Sequence, residues 1–149
     1  MWVAVLIGAA LLAADRVCKH LARSGKWRYD GKFFRFTHVE NRGFFLNHGQ
    51  QYPQLVRWLP CVVWVMAAVA LLPELGKRLF TAQLGILLVL LGGISNQLDR
   101  VVRRSVTDYL QFPHRKIKKR AAVWNIADFM LLGGVVLTCI GLLRELLRK

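Results

Sequence analysis

The chain has 149 residues, 55% hydrophobic and 20% charged, with a mean hydropathy of +0.36, which argues against a disordered tail and against a disulfide scaffold. It carries 22 Lys and Arg against 8 Asp and Glu, a formal charge of +14, and in a soluble protein that excess would point to nucleic acid. Where the charges fall decides between that reading and a membrane one.

Met1 to Ala14 is uncharged. It reaches the roughly 20 residues of a bilayer span only by taking in Asp15 to Lys19. Lacking the basic n-region of a signal peptide, it is read as a helix over about residues 1–22. The loop 23–53 follows. Its residues 27–47, WRYDGKFFRFTHVENRGFFLN, interleave aromatic and β-branched side chains with polar ones. That predicts short strands or a hairpin turning near Asp30 and Gly31. Phe33, Phe34, Phe44 and Phe45 suit the membrane interface and a small loop core equally. Asn41 and Gly43 suit a turn, or a backbone presented closely to a ligand. The apolar run Trp58 to Pro73, extended by Arg57, predicts a helix over 54–73. Leu79 to Leu98 is twenty residues without a charge and predicts a helix over 79–100.

After it, SVTDYLQF alternates Val106, Leu110 and Phe112 with other residues, the pattern of a short extended segment returning to the membrane surface. Then comes the basic run RKIKKR, Arg115 to Arg120. Ala121 to Leu143 is twenty-three residues with Asp128 as its one charge and predicts a helix over 121–144. The chain therefore reads as one all-α membrane domain over 1–149, with four transmembrane helices and a small β-rich loop between helices 1 and 2.

Sixteen of the 22 basic residues fall in 16–42 and 100–120, on one side of a four-helix topology. By the positive-inside rule alone that side is cytoplasmic. Four of the eight acids, Asp15, Asp99, Asp108 and Asp128, meet at the same edge. Carboxylates bordering a span are costly and tend to mark function. Asp15 has Lys19 at i+4, the favourable order for a helical ion pair, so a structural role is at least as strong a reading as a functional one. Asp99 has Arg100 beside it and Arg103 at i+4, and reads as paired. Asp128 has only apolar neighbours, Ile126, Ala127, Phe129 and Met130, and no cation within a turn.

Asn96–Asp99 and Asn125–Asp128 both form N-x-x-D, a spacing that puts amide and carboxylate on one helix face. Two carboxylates sharing a proton can activate water for peptide hydrolysis. Nucleophile chemistry has less support, since Ser95 and Ser105 have no nearby His and His20, His38, His48 and His114 are scattered. Cys18, Cys61 and Cys139 have no metal spacing and read as small apolar side chains, so the site should need no metal or other cofactor. Two other classes compete. One is a membrane binding or ion-pathway protein whose acids only pair helices. The other is a membrane-anchored nucleic-acid binder using Arg115 to Arg120, which lacks interleaved stacking aromatics.

These residues resemble the lipoprotein signal peptidase (signal peptidase II) family, a bacterial membrane aspartic peptidase with four transmembrane helices. Asp15 and Lys19 match its D-x-x-x-K, and Asn41, Gly43 and Phe45 are similar to its N-x-G-x-x motif. Gly92, Asn96, Asp99 and Arg100 match G-x-x-x-N-x-x-D-R. Val106 and Asp108 match V-x-D, and Asn125, Ala127 and Asp128 match N-x-A-D. Arg16 stands where the family usually has Gln, Ser95 where it has Gly, and Thr107 and Tyr109 where it has Val and Phe. Phe44 fills a position that is often Ala, and Trp124 also departs from the pattern.

The resemblance implies cleavage of a diacylglyceryl-modified lipoprotein precursor just before its lipid-modified cysteine, with Asp108 and Asp128 as the catalytic pair. Asn96, Arg100 and Asn125 would support the dyad or hold substrate backbone, and Asn41 and Gly43 would belong to a cradle over the scissile bond. Asp15, Lys19 and Asp99 would be structural. It further implies globomycin-type inhibitors and membrane lipids as partners, no nucleic acid, and a multi-pass protein of the bacterial inner membrane with its site near the extracytoplasmic face. That placement of loops 1 and 3 opposes the charge rule. The motif order outweighs the statistical bias, and anionic headgroups of the outer leaflet can take the basic loops.

Overall fold

The computed structural model describes residues 1–26, 28–44, 48–112 and 122–148. The basic run Arg115 to Arg120, His114 and Phe45 lie outside them. Among the described residues four long helices carry the fold: α1 (Trp2–Ser24), α2 (Pro53–Leu71), α3 (Phe80–Arg103) and α4 (Ile126–Leu146). Gly25, in the left-handed region at φ 65°, ends α1. Proline in the first turn of α2 sits where a missing N–H costs nothing, and a 3-10 turn over Leu72–Lys77 extends that helix.

Among the described residues three helical segments are long and apolar enough to cross a membrane: Pro53–Lys77, Phe80–Arg103 and Ile126–Leu146, with mean hydropathies of 2.1, 1.4 and 2.2. Helix α1 has the length, 23 residues or about 34 Å, but carries Asp15, Arg16 and Lys19 in its second half. Asp15 and Lys19 are fully buried, turned into the bundle.

The four strands β1 (Tyr29–Asp30), β2 (Arg35–Asn41), β3 (Val106–Gln111) and β4 (Val123–Trp124) form one antiparallel sheet in chain order. The hairpin expected around Asp30 and Gly31 is present, pairing Tyr29 with Phe36 and Asp30 with Arg35. The sheet is not confined to the loop between helices 1 and 2. Half of it comes from the connection between α3 and α4, whose SVTDYLQF segment satisfies its backbone groups on β2, with Val39 opposite Asp108 and Asn41 opposite Val106. For the same reason α4 begins five residues later than expected. Val123 and Trp124 pair with Gln111 and Leu110, and Asn125 caps the helix.

Helix α3 is the central element, burying Ile86, Leu90, Gly92, Ser95, Asn96 and Asp99 between the other three helices. Against α4 it packs backbone to backbone. A Cβ at Gly134 would lie 2.8 Å from both the Gly85 carbonyl oxygen and the Val89 nitrogen, and one at Gly92 would lie 2.8 Å from the Ala127 carbonyl oxygen. Small residues at such crossings let membrane helices approach closely, and here the approach brings Asn96 beside the first turn of α4. Gly134→Ala should therefore destabilise by about 1–3 kcal/mol, read as a lowered thermal unfolding midpoint in detergent. Gly133→Ala, where a Cβ meets nothing within 4 Å, should hold or raise that midpoint because alanine favours helix. Equal losses in the two variants would contradict the close crossing.

Candidate active site

The first turn of α4 sets one side of the site. Asn125 is its N-cap, and its side-chain oxygen accepts from the Asp128 backbone N–H at 2.9 Å. Asp128 Oδ2 in turn accepts from the Asn125 N–H at 3.1 Å, a reciprocal capping box. The N-x-x-D spacing at 125–128 is thus a cap that also holds a carboxylate still. The other oxygen, Oδ1, accepts from Asn96 Nδ2 at 2.9 Å, so α3 and α4 fix Asp128 jointly.

The same Asn125 amide reaches the sheet. Its Nδ2 donates to Asp108 Oδ1 at 2.7 Å, and Asn41 Nδ2, from the end of β2, donates to Asp108 Oδ2 at 3.2 Å. Asn41 is oriented by its own side-chain oxygen, which accepts from the Gly43 N–H at 3.0 Å. Asp108 is 4% exposed. Burial and then the nearby Asp128 carboxylate push Asp108 up to about 7, against the hydrogen bonds from Asn125 and Asn41 that oppose the rise. Arg100 lies within electrostatic reach of Asp128 and Asp108. Its guanidinium donates to the Phe44 carbonyl at 3.4 Å, while its buried Nε–H has no hydrogen-bond partner among the described residues.

Beneath this layer lies a second one. Lys19, fully buried, pairs with Asp15 at 2.8 Å and Asp99 at 3.2 Å and donates to Asn96 Oδ1 at 2.8 Å. Fixing that oxygen leaves the Asn96 amide nitrogen aimed at Asp128. Asp15 in turn reaches α4: its Oδ1 accepts from the Ala127 N–H at 3.2 Å and the Tyr109 hydroxyl at 2.9 Å, and that hydroxyl accepts from the Ile126 N–H at 3.1 Å. Two orphan N–H groups of the α4 N-terminus are thereby satisfied from α1 and β3.

The candidate catalytic, supporting and structural residues named from the sequence are found in these two layers. Asp108, Asp128, Asn41, Asn96, Asn125 and Arg100 come together, with Gly43 fixing Asn41, and Asp15, Lys19 and Asp99 form the buried ion cluster. Sequence reasoning missed the roles of Ser95, Tyr109 and Arg16. Ser95 Oγ donates to Asp15 at 2.6 Å, and Arg16 pairs with Asp99 at 2.9 Å. Three positions at which the chain departs from the family pattern thus converge on the same buried carboxylates, and that shared departure was the available signal. Among the described residues no group of His, Cys, Asp and Glu has the makings of a metal site.

The profile of the signal peptidase (SPase) II family matches residues 7–144. The lipoprotein signal peptidase of Clostridioides difficile (strain 630) is 34% identical over 140 residues, covering 91% of this chain and 88% of that protein. The lipoprotein signal peptidase of Streptococcus pneumoniae (strain R6) is 27% identical over 143 residues, covering 96% and 90%. In fold, the chain is similar to a bacterial membrane enzyme solved by the in meso method at 2.3 Å resolution. The TM-score is 0.80 at 22% identity, with 100% of this chain and 92% of the other covered. By sequence over nearly its whole length, the chain belongs to the signal peptidase II family of peptidases.

Proposed function

We propose that the protein is an aspartic endopeptidase that removes the signal peptide of lipoprotein precursors, cutting before the lipid-modified cysteine with Asp108 and Asp128 as a water-activating pair. The carrying observation is the single Asn125 side chain that binds the Asp108 carboxylate through its nitrogen and the Asp128 backbone through its oxygen. The Asn125 backbone N–H also bonds the Asp128 carboxylate, and two carboxylates held by one residue in a largely desolvated setting cannot both ionise cheaply, so a shared proton relieves the repulsion.

In the proposed reaction one carboxylate takes a proton from water as its oxygen bonds the scissile carbonyl carbon. The other, protonated, hydrogen-bonds the carbonyl oxygen. Collapse of the tetrahedral species breaks the C–N bond, and the amine of the lipid-modified cysteine leaves with a proton from the pair. Which aspartate starts with the proton belongs to the coupled pair. The unpartnered Nε–H of Arg100 is suited to a substrate carbonyl, and Asn41 and Gly43 to the peptide backbone over the scissile bond.

The same proposal places α1 as a fourth span, giving one multi-pass domain in the bacterial inner membrane with the sheet and the carboxylates near its extracytoplasmic face. The inward burial of Asp15 and Lys19 supports this, because their charges then meet each other rather than lipid. The precursor's lipid would stay in the bilayer while its peptide lies under the sheet, the position a globomycin-type inhibitor would occupy.

Purified protein should cleave a diacylated precursor. Asp108→Asn and Asp128→Asn should each lower the rate by at least about 10²–10⁴-fold with the thermal midpoint kept. Full activity in either variant would remove the assignment. The pair works with one proton, and burial with the neighbouring Asp128 carboxylate pushes the Asp108 carboxyl up to about 7. kcat/KM should therefore decline as pH rises through that value, where the proton is lost. A rate that keeps climbing well above it would contradict a shared-proton mechanism.

A further inference from the structure

A cavity of about 570 Å³ lies beside the turn after β2, among residues at the start of α2 and the end of α3. Arg42 lines it just beyond β2, Gln54 and Arg57 from the first turns of α2, Arg103 and Arg104 from the end of α3, and Ser105 from the start of the following segment. Four arginines thus face one space, and no acidic side chain lines it among the described residues. Two carboxylates that reach lining residues are engaged in bonds of their own. Asp99, 3.9 Å from Arg103, is held by Arg16 and Lys19, and Glu40 takes the Ser105 hydroxyl at 2.6 Å.

Two of the arginines are held in ways that packing alone does not require. Arg57 donates one N–H to the Val101 carbonyl at 2.7 Å, yet its buried Nε–H has no hydrogen-bond partner among the described residues. A buried donor left so costs free energy until a ligand supplies an acceptor. Arg104 ends α3 at φ 63°, the one non-glycine residue at positive φ among those described. Glycine fits that position with less strain, so a guanidinium there is retained against a backbone preference. Directly beside the cavity, the Arg57 guanidinium lies over the Trp58 ring at 4.8 Å. Leu55, Leu59 and Val62 continue down the same helix 44–54% exposed, on a segment apolar enough to span a membrane.

We infer that this cavity is a binding site for the headgroup of an anionic phospholipid, with the phosphodiester among Arg42, Arg57, Arg103 and Arg104 and the acyl chains along the exposed face of α2. Guanidinium groups match phosphate oxygens bidentately, and an aromatic at the headgroup level beneath a cation is an ordinary interfacial arrangement. The lipid is distinct from any substrate in the catalytic site. It lies one residue from Asn41, so an occupied cavity also neutralises charge next to the turn that holds Asp108.

The test is native mass spectrometry of the full-length protein in detergent, titrated with phosphatidylglycerol, phosphatidylcholine or inorganic phosphate. It reads binding without cleavage, so its failure is separate from failure of the peptidase reading. One phosphatidylglycerol should bind at saturation, and phosphatidylcholine should bind much more weakly. Arg104→Gly, which relieves the positive φ and keeps the fold, should weaken phosphatidylglycerol about fivefold, and adding Arg57→Gln about fivefold again. The control Arg144→Gln with Arg148→Gln removes the same charge elsewhere and should leave binding unchanged. Equal binding of the two lipids, equal losses in the cavity and control variants, or displacement of the lipid by inorganic phosphate at comparable concentration would each overturn the proposal.

Discussion

The architecture depends on one buried cation. Lys19 has no contact with solvent and joins Asp15 on its own helix to Asp99 on α3. Desolvating these charges is expensive, and their mutual attraction repays it only with the help of further hydrogen bonds. The Ser95 and Tyr109 hydroxyls and the Ala127 N–H serve Asp15, and Arg16 serves one oxygen of Asp99, whose other oxygen has the Lys19 ammonium at 3.2 Å. Removing one partner from such a cluster typically costs about 3–5 kcal/mol, because it strands a buried charge. The cluster also acts as an aligner. It ties α1 to α3 directly and to the start of α4 through Asp15, and it orients Asn96 toward Asp128.

The chemistry of the upper layer follows from that alignment. Asp128 is held at a helix start whose cap is the residue that also grips Asp108, so one residue, Asn125, bonds both carboxylates, Asp108 through its side-chain amide and Asp128 through its backbone N–H. Asp108 reaches the same place from a strand, braced by Asn41 on the neighbouring strand. The sheet is therefore part of the site: it spans the connections on either side of α2 and α3 and brings a residue from each, Asn41 and Asp108, beside Asn125 at the start of α4. Groups whose rotamers are fixed by capping and sheet pairing cost little reorganisation when a substrate arrives.

Much of this was legible before any coordinates. Apolar runs of spanning length marked α3 and α4, the first uncharged and the second holding Asp128 as its one charge. The i, i+4 spacing of Asp15 and Lys19 marked an ion pair, and the absence of a cation near Asp128 set it apart from Asp99. What could not be read was long-range. Nothing in VTDYLQ says that it pairs with RFTHVEN almost seventy residues earlier, because strand pairing is set by backbone groups that every residue carries. Hence the sheet looked like a property of one loop, and α4 was started at the edge of an apolar run when Asn125 starts it. Arg16, Ser95 and Tyr109 looked like departures from a pattern, since their partners lie roughly 80 to 95 residues away in sequence.

The central claim is that Asp108 and Asp128 form one proton-sharing unit. It is tested most directly by following the Asp108 carboxyl carbon by NMR through a pH titration, in the wild-type protein and in Asp128→Asn. Asp108 should titrate near 7 in the wild type and move to lower pH when the neighbouring charge is removed, with burial keeping it above an ordinary carboxylate. Titration in the ordinary carboxylate range, unmoved by Asp128→Asn, would contradict it.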